Sequence, residues 1–542
     1  MSDPHPRYAG VLAATLLVTL VLAAANLVMG DLNQDEGWYL YAALRVAEGW
    51  LPYRDFAFTQ GPMLPLVYAW MAPVIEAQGV AGGRLITVAF GLMTLALAGR
   101  AAARLGGASA GIIAAMLIGV NVYHGYFTTV VKTYALCGFF LMLAVYALAR
   151  WSERRQWAWL LLAGAGLAAA AGTRLSSGIL LPLIGCWLLF QPKRCGAFAW
   201  WWFGLGGGLT LVLIFGRFFW LAPEGLRFGL LEYHTLRESG DWLSSLILKG
   251  GFISRLVQAY FVAMSLLALL LAVKMWRPFK TTDTGYHQTL AFSVVRLLWL
   301  SVAAVTLVHL TAPFPYDDYQ VPVFPVLAVA LAVSWSHALR SWSGSGIRWT
   351  PGAPPADPVM TRWFLWCLLL VGTAASFSSP INMDWMISGR DRIWWNMKAK
   401  PSLLLLRDIG AEIRRDSRTD TLLTQDTYLA VEAGKKVPRG WEMGPFSYYP
   451  DMPDERAAAL HLSNRASLLG DIASSTADFA AISGYGLAIA SPHIMPLASD
   501  HQAELRAALD ARYAHVRDVP AFGQANTVLS LYRLREPSEV AP

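Results

Sequence analysis

The stretch Asp31-Leu32-Asn33-Gln34-Asp35-Glu36-Gly37-Trp38-Tyr39-Leu40-Tyr41 decides how the rest of the chain is read. It follows an apolar run at 8–30 and places two adjacent carboxylates, then three aromatic rings, just past a segment long enough to cross a bilayer. That run exceeds the roughly 7 to 15 apolar residues of a signal-peptide core, so it reads as an uncleaved anchor despite Ala23-Ala24-Ala25. A carboxylate at a membrane surface lies close to low dielectric, where it becomes a stronger base. A plainer reading stays open: Asp35 caps a helix over 36–47 and favours its positive end.

Outward from this stretch come Gly49-Trp50-Leu51-Pro52-Tyr53-Arg54-Asp55-Phe56 and Thr59-Gln60-Gly61-Pro62, then a short apolar segment at 61–77 broken by Pro62, Pro65 and Pro73. Further apolar stretches lie at 83–101, 108–123, 133–150, 157–173, 175–191, 198–220, 251–274, 290–312, 319–339 and 362–379. With the first, they make eleven candidate spans. Of the first 379 residues 41 are charged, against 38 of the last 163, a contrast that predicts a multi-spanning body over 1–379 and a water-soluble domain over 380–542. This excludes a purely soluble enzyme, a disordered chain and a disulfide scaffold, the chain having only four cysteines.

Charge asymmetry orients the body. If 61–77 is a re-entrant or interfacial helix and does not cross, Arg100 and Arg104, Arg150, Arg154 and Arg155, Lys193 and Arg194, Lys274, Arg277 and Lys280, and Arg340, Arg348 and Arg362 all fall on the N-terminal, cytosolic side. The tail is then outside, which in a bacterium is the periplasm. Under this topology the cytosolic segments hold 15 basic and 4 acidic residues, so the net charge of +7 argues for orientation in the cytoplasmic membrane and not for nucleic acid. In the tail, 403–415 and 501–511 read as helices and 421–424, 479–482, 514–519 and 527–532 as strands, an α/β domain with no nucleotide-binding glycine pattern.

The Asp-Glu after the first helix, the short helix along the membrane and the Pro-containing turn before the next apolar stretch resemble the GT-C superfamily of membrane glycosyltransferases. The branch is the one similar to protein O-mannosyltransferases and the lipid A aminoarabinose transferase. The similarity runs roughly from 8 to 190, with Arg84-Leu85 and Thr173-Arg174-Leu175 opening later spans; Tyr316-Asp317-Asp318-Tyr319-Gln320 resembles the family's later external loop. What the resemblance implies is a GT-C-like polytopic α-helical fold and transfer of a sugar from a polyprenyl-phosphate carrier to a glycan, lipid or protein acceptor on the outer face. It implies Asp35 as the acid that deprotonates or orients the acceptor nucleophile, supported by Glu36.

A departing phosphate needs cationic partners, and Lys132, Arg174 and Arg237 are the external candidates. Tyr39, Arg54, Asp55, Gln60, Asp317, Asp318 and Tyr319 are candidates for lining the substrate cavity. The chain departs from the resemblance in two places. Lys132 stands where relatives carry an acid, and Thr59-Gln60-Gly61-Pro62 lacks the His-Pro-Pro or Glu-Lys-Pro pattern. Asp35, Glu36, Asp55, Asp317 and Asp318 could together furnish oxygen ligands for Mg²⁺ or Mn²⁺; ordinary solvated acids are the alternative. The expected partners are the lipid-linked donor, membrane lipids and an acceptor. Two other classes remain open: a transporter or flippase of an envelope precursor, disfavoured by the lack of a mid-span acid or duplicated broken helices, and a scaffold working through the aromatic loop 440–449.

Overall fold

The computed structural model describes residues 8–191, 195–236, 242–276, 286–342, 358–378, 400–484, 486–487, 489–491, 495–523 and 527–535. The chain opens with α1 (Ala9–Met29), α2 (Gln34–Ala47), α3 (Met63–Ala69), α4 (Ala72–Gln78), α5 (Val80–Gly106), α6 (Ala108–Gly119), α7 (Val122–Phe127), α8 (Thr133–Arg154) and α9 (Trp157–Thr173). Each apolar stretch expected from the sequence is mostly helical over its described residues. Among the described residues six helices are long and apolar enough to cross a membrane, α1, α5, α8, Ala199–Leu221, Leu290–Thr311 and Val359–Ser376, and four shorter apolar ones stand among them.

The expected single span at 251–274 is instead a pair, Trp242–Ala259 and Phe261–Val273, bent by 93°. The run that looked continuous has two characters. Arg255 and Gln258 are buried and bonded to each other ahead of the bend, whereas the helix after Tyr260 opens on a run in which Ser265 is the one polar residue before Lys274. The Tyr260 ring pins the corner, stacked 3.9 Å from Phe324 and edge-on to Tyr123. The proline-broken segment at 61–77 forms α3 and α4, seven residues each. At 1.5 Å per residue each is about 10 Å long, too short to cross.

Glycine permits a close helix crossing in the body. A Cβ on Gly164 of α9 would lie 2.1 Å from the Phe203 carbonyl oxygen, and one on Gly206 would lie 2.2 Å from that of Leu161. The two helix backbones therefore touch, as small residues allow within membranes.

The tail holds a three-stranded antiparallel sheet in the order β1-β5-β4, with β1 Phe479–Ser483, β4 Tyr513–Val519 and β5 Leu529–Leu534. A two-stranded hairpin pairs β2 Ile489–Ala490 with β3 Met495–Pro496. Helices Ser402–Asp416 and Ser499–Arg512 lie where periodicity placed them. The strand expected at 421–424 makes only isolated bridges, Thr421 to Lys436 and Leu423 to Ala480, because the chain turns into helix Thr427–Ala433 before a ladder can extend.

The tail and the segment from α2 to α3 share one hydrophobic core. Leu40, Phe56 and Leu64 are buried in the same cluster as Leu406, Tyr428, Trp441 and Ile472. Gly37 is the point of contact: a Cβ there would meet the Tyr428 nitrogen at 2.2 Å, so only glycine lets α2 lie against Thr427–Ala433. The junction expected near 380 falls outside the described residues.

Candidate active site

The loop after α1 sets the site through the way α2 begins. Asn33, not Asp35, is the cap: its side chain accepts from the Asp35 N–H at 3.1 Å, while the Asn33 N–H donates to Glu36 Oε1 at 3.1 Å. This reciprocal box fixes the first turn and corrects the capping reading of Asp35. The Asp35 side chain is left to turn outward, held by the Trp38 indole N–H at 3.2 Å.

Asp35 and Glu36 then part company. Glu36 is fully buried and bidentate with Arg84, at 2.8 Å from Nε and 2.6 Å from the second nitrogen, and it also accepts the Val131 N–H. Arg84 spends its remaining donors on the carbonyls of Leu27, Gly30 and Asp31. Asp35 instead lines a cavity of about 700 Å³ together with Tyr39, Gln60, Lys132, Arg174, Asp318 and Tyr319. Glu36 is not among the cavity's lining residues.

At the centre of the cavity Lys132, the residue preceding α8, lies 2.8 Å from Asp35 Oδ2 and 2.8 Å from Asp318 Oδ2. Two carboxylates at this distance favour the charged ammonium against the cost of its burial. Arg174 ends α9 with its guanidinium between the rings of Tyr134 (5.0 Å) and Tyr319 (4.4 Å). No carboxylate among the described residues reaches it within ion-pair distance.

The other candidates lie elsewhere. Arg54 and Asp55 pair with each other at 2.7 Å on the loop surface, where Asp55 also closes a turn by accepting the Leu51 N–H. The Arg54 carbonyl meets His461 of the tail. Asp317 turns away from the cavity to accept from the Tyr123 hydroxyl. Arg237 lies outside the described residues. The five acids thus do not converge: of the oxygen donors a Mg²⁺ or Mn²⁺ would need, only Asp35 and Asp318 face one cavity, and Lys132 lies between them. Among the described residues no cluster of three or more His, Cys, Asp or Glu is placed to hold a metal.

Several lining residues were not anticipated: Trp38, Tyr134, Ser176, His309 and Phe446. His309 had a signal, a polar residue within an apolar span. Phe446 comes from the loop 440–449, whose Trp441, Met443, Tyr448 and Tyr449 are buried in packing; Phe446 alone of these reaches the cavity, edge-on to Trp38. From the wall itself, Gln34 donates to Asp426 of the tail at 3.3 Å. Burial pushes the Asp426 carboxyl above its usual range, against the hydrogen bonds that Ser483, Tyr428 and Gln34 give it.

Residues 59–220 match the family model described as dolichyl-phosphate-mannose-protein mannosyltransferase. No curated protein matches the sequence. Among solved structures, ArnT from Cupriavidus metallidurans is similar both in its apo state and bound to undecaprenyl phosphate. Each has a TM-score of 0.57 at 14% identity, over 98% of this chain and 99% of that one. The oligosaccharyltransferase of Archaeoglobus fulgidus in its apo form gives a TM-score of 0.45 at 11% identity, over 86% of this chain and 71% of its own. Over nearly its whole length the chain therefore has a fold similar to that of ArnT, and within 59–220 a sequence similar to the mannosyltransferase family model.

Proposed function

We propose that the protein transfers a sugar from a polyprenyl-phosphate carrier to an acceptor at the outer face of the cytoplasmic membrane. The observation that carries the reading is the arrangement of charge in the cavity, with Lys132 bridging Asp35 and Asp318 and Arg174 held between two rings with no carboxylate partner among the described residues. Phosphate oxygens suit that guanidinium, which makes one long hydrogen bond to the Thr133 hydroxyl at 3.5 Å and is fixed before any donor arrives, so that binding costs little reorganisation. The aromatic side chains Trp38, Tyr39 and Phe446 offer faces for a sugar ring.

In the proposed step the acceptor hydroxyl gives its proton to Asp35 as its oxygen bonds to the anomeric carbon. The bond from that carbon to the phosphate oxygen breaks, and the polyprenyl phosphate leaves with the electron pair. Glu36 acts from behind as a positioning residue, through Arg84 and the start of α2. Outer-face action is supported by the basic loops that collect on the opposite side. The ArnT structure bound to undecaprenyl phosphate supports a lipid-phosphate donor.

The test is turnover by purified protein in nanodiscs given polyprenyl-phosphate sugars and envelope extract. The expected result is release of free polyprenyl phosphate and a labelled acceptor. Flux of lipid-linked sugar across proteoliposomes without release would favour a transporter. The bent pair at Tyr260 is the feature nearest to that class, yet it stands single among the described residues, where inverted repeats would duplicate it. Orientation is tested separately by a cysteine at Ser474, which should label from outside the cell only.

A further inference from the structure

His309 lies in the cavity wall, 2% exposed, at the centre of a chain of side chains. Thr306 Oγ1 donates to Gln320 Oε1 at 3.4 Å. That leaves the Gln320 amide nitrogen, which can only donate, facing His309 Nδ1 at 3.2 Å. A neutral imidazole that accepts at Nδ1 carries its proton on Nε2, and Nε2 lies 2.9 Å from Ser176 Oγ. The hydroxyl of Ser176 therefore receives a proton from His309 and must point its own elsewhere. Ser176 lines the same cavity, two residues after Arg174 at the start of the 3-10 turn Leu175–Ile179.

We propose that Ser176 is a binding residue for the donor phosphate, its hydroxyl proton aimed into the cavity by the one-way chain Thr306–Gln320–His309. Arg174 supplies the charge and Ser176 an oriented neutral donor from the same turn, so two oxygens of one phosphate are held with a fixed geometry. The chain explains why a histidine and a glutamine, both nearly fully buried, are kept beside an otherwise apolar span. A hydroxyl without this backing turns freely and spends part of its time donating to the wall. The inference rests on the proposed lipid-phosphate donor.

The experiment measures binding of two probes, undecaprenyl phosphate and undecaprenol, to purified full-length protein and to Ser176→Ala, Ser176→Thr and Gln320→Leu. The wild type is expected to prefer the phosphate. Ser176→Ala should lose about tenfold in affinity for undecaprenyl phosphate, the weight of one hydrogen bond to a charged group, with undecaprenol unchanged. Ser176→Thr, which keeps the hydroxyl, should stay close to wild type, and Gln320→Leu should fall between. Wild-type affinity in Ser176→Ala, or an equal loss for both lipids, overturns the role of Ser176 while leaving the donor reading intact. A wild type that does not distinguish phosphate from alcohol overturns the donor reading and this inference with it.

Discussion

Asp35 and Glu36 are neighbours in sequence, and each meets a cation across the same short helix, yet the two sides of α2 are built differently. On the inner side Glu36 and Arg84 are both wholly buried, and their polar atoms are taken up by each other, by three carbonyls and by two backbone N–H groups. On the cavity side Lys132 is shared by two carboxylates, and the Asp35 side chain remains 24% exposed. A buried ion pair is tolerated only when nearly every lone pair and proton is satisfied. Glu36 meets that condition and ties the exit of α1 to α2 and α5. Asp35 is left partly exposed, in an arrangement that under the proposed function an incoming phosphate or hydroxyl rearranges.

The comparison can be broken most forcefully on the inner side. Glu36→Gln leaves Arg84 charged and unpaired in a dry environment, and should cost about 3–5 kcal/mol of stability. Thermal unfolding of the purified protein checks this; a melting curve unchanged from wild type would mean that the pair does not anchor the fold.

A third carboxylate sharpens the contrast. Glu442 of the tail is buried and bonded to the Gly440 N–H, and burial pushes its pKa up to about 7 from 4.5, against the pull of that N–H, Arg439 and Arg45. The folded protein thus holds this proton more tightly than the unfolded chain. Between about pH 4.5 and 7 stability should fall as pH rises, by about 3 kcal/mol at most. Glu442→Gln should flatten that part of the melting-temperature profile; a variant with the wild-type slope would assign the pH dependence to other groups. The smallest effect is expected at the contact between the two parts. Gly37→Ala gains about 1 kcal/mol of helix propensity, but its methyl meets backbone at 2.2 Å and the overpacking should cost about 1–3 kcal/mol. Faster proteolysis of the tail is the readout, and an unchanged rate would show that the α2 contact does not hold it.

Much of this was legible in the sequence, for reasons of period and length. Apolar runs near 20 residues became helices, prolines at 62, 65 and 73 kept α3 and α4 short, and alternation or amphipathicity placed β1, β4, β5 and the long tail helices. Asp35, Lys132, Arg174 and Asp318 could be nominated because charges at span ends stand out against apolar neighbours. What could not be read was who meets whom. The Lys132–Asp318 bond joins residues 186 apart, and Glu36 finds Arg84 48 residues away. No local pattern encodes such partners, so Glu36 looked like a second cavity acid and Arg84 only like the start of a span. The shared core of loop and tail was hidden for the same reason, since the composition shift near 380 says nothing of which residues pack together. The break at Tyr260 escaped because hydropathy averages over Arg255 and Gln258.

The most direct measurement is transfer and thermal stability taken together on Asp35→Asn and Glu36→Gln in the same membranes. Asp35→Asn should melt close to wild type and lose transfer from polyprenyl-phosphate sugar by about 10²–10⁴-fold, the usual worth of a positioned acid or base. Glu36→Gln should lose stability first, with transfer falling only as folded protein is lost. Full transfer by a well-folded Asp35→Asn protein would contradict the division of labour between the two carboxylates.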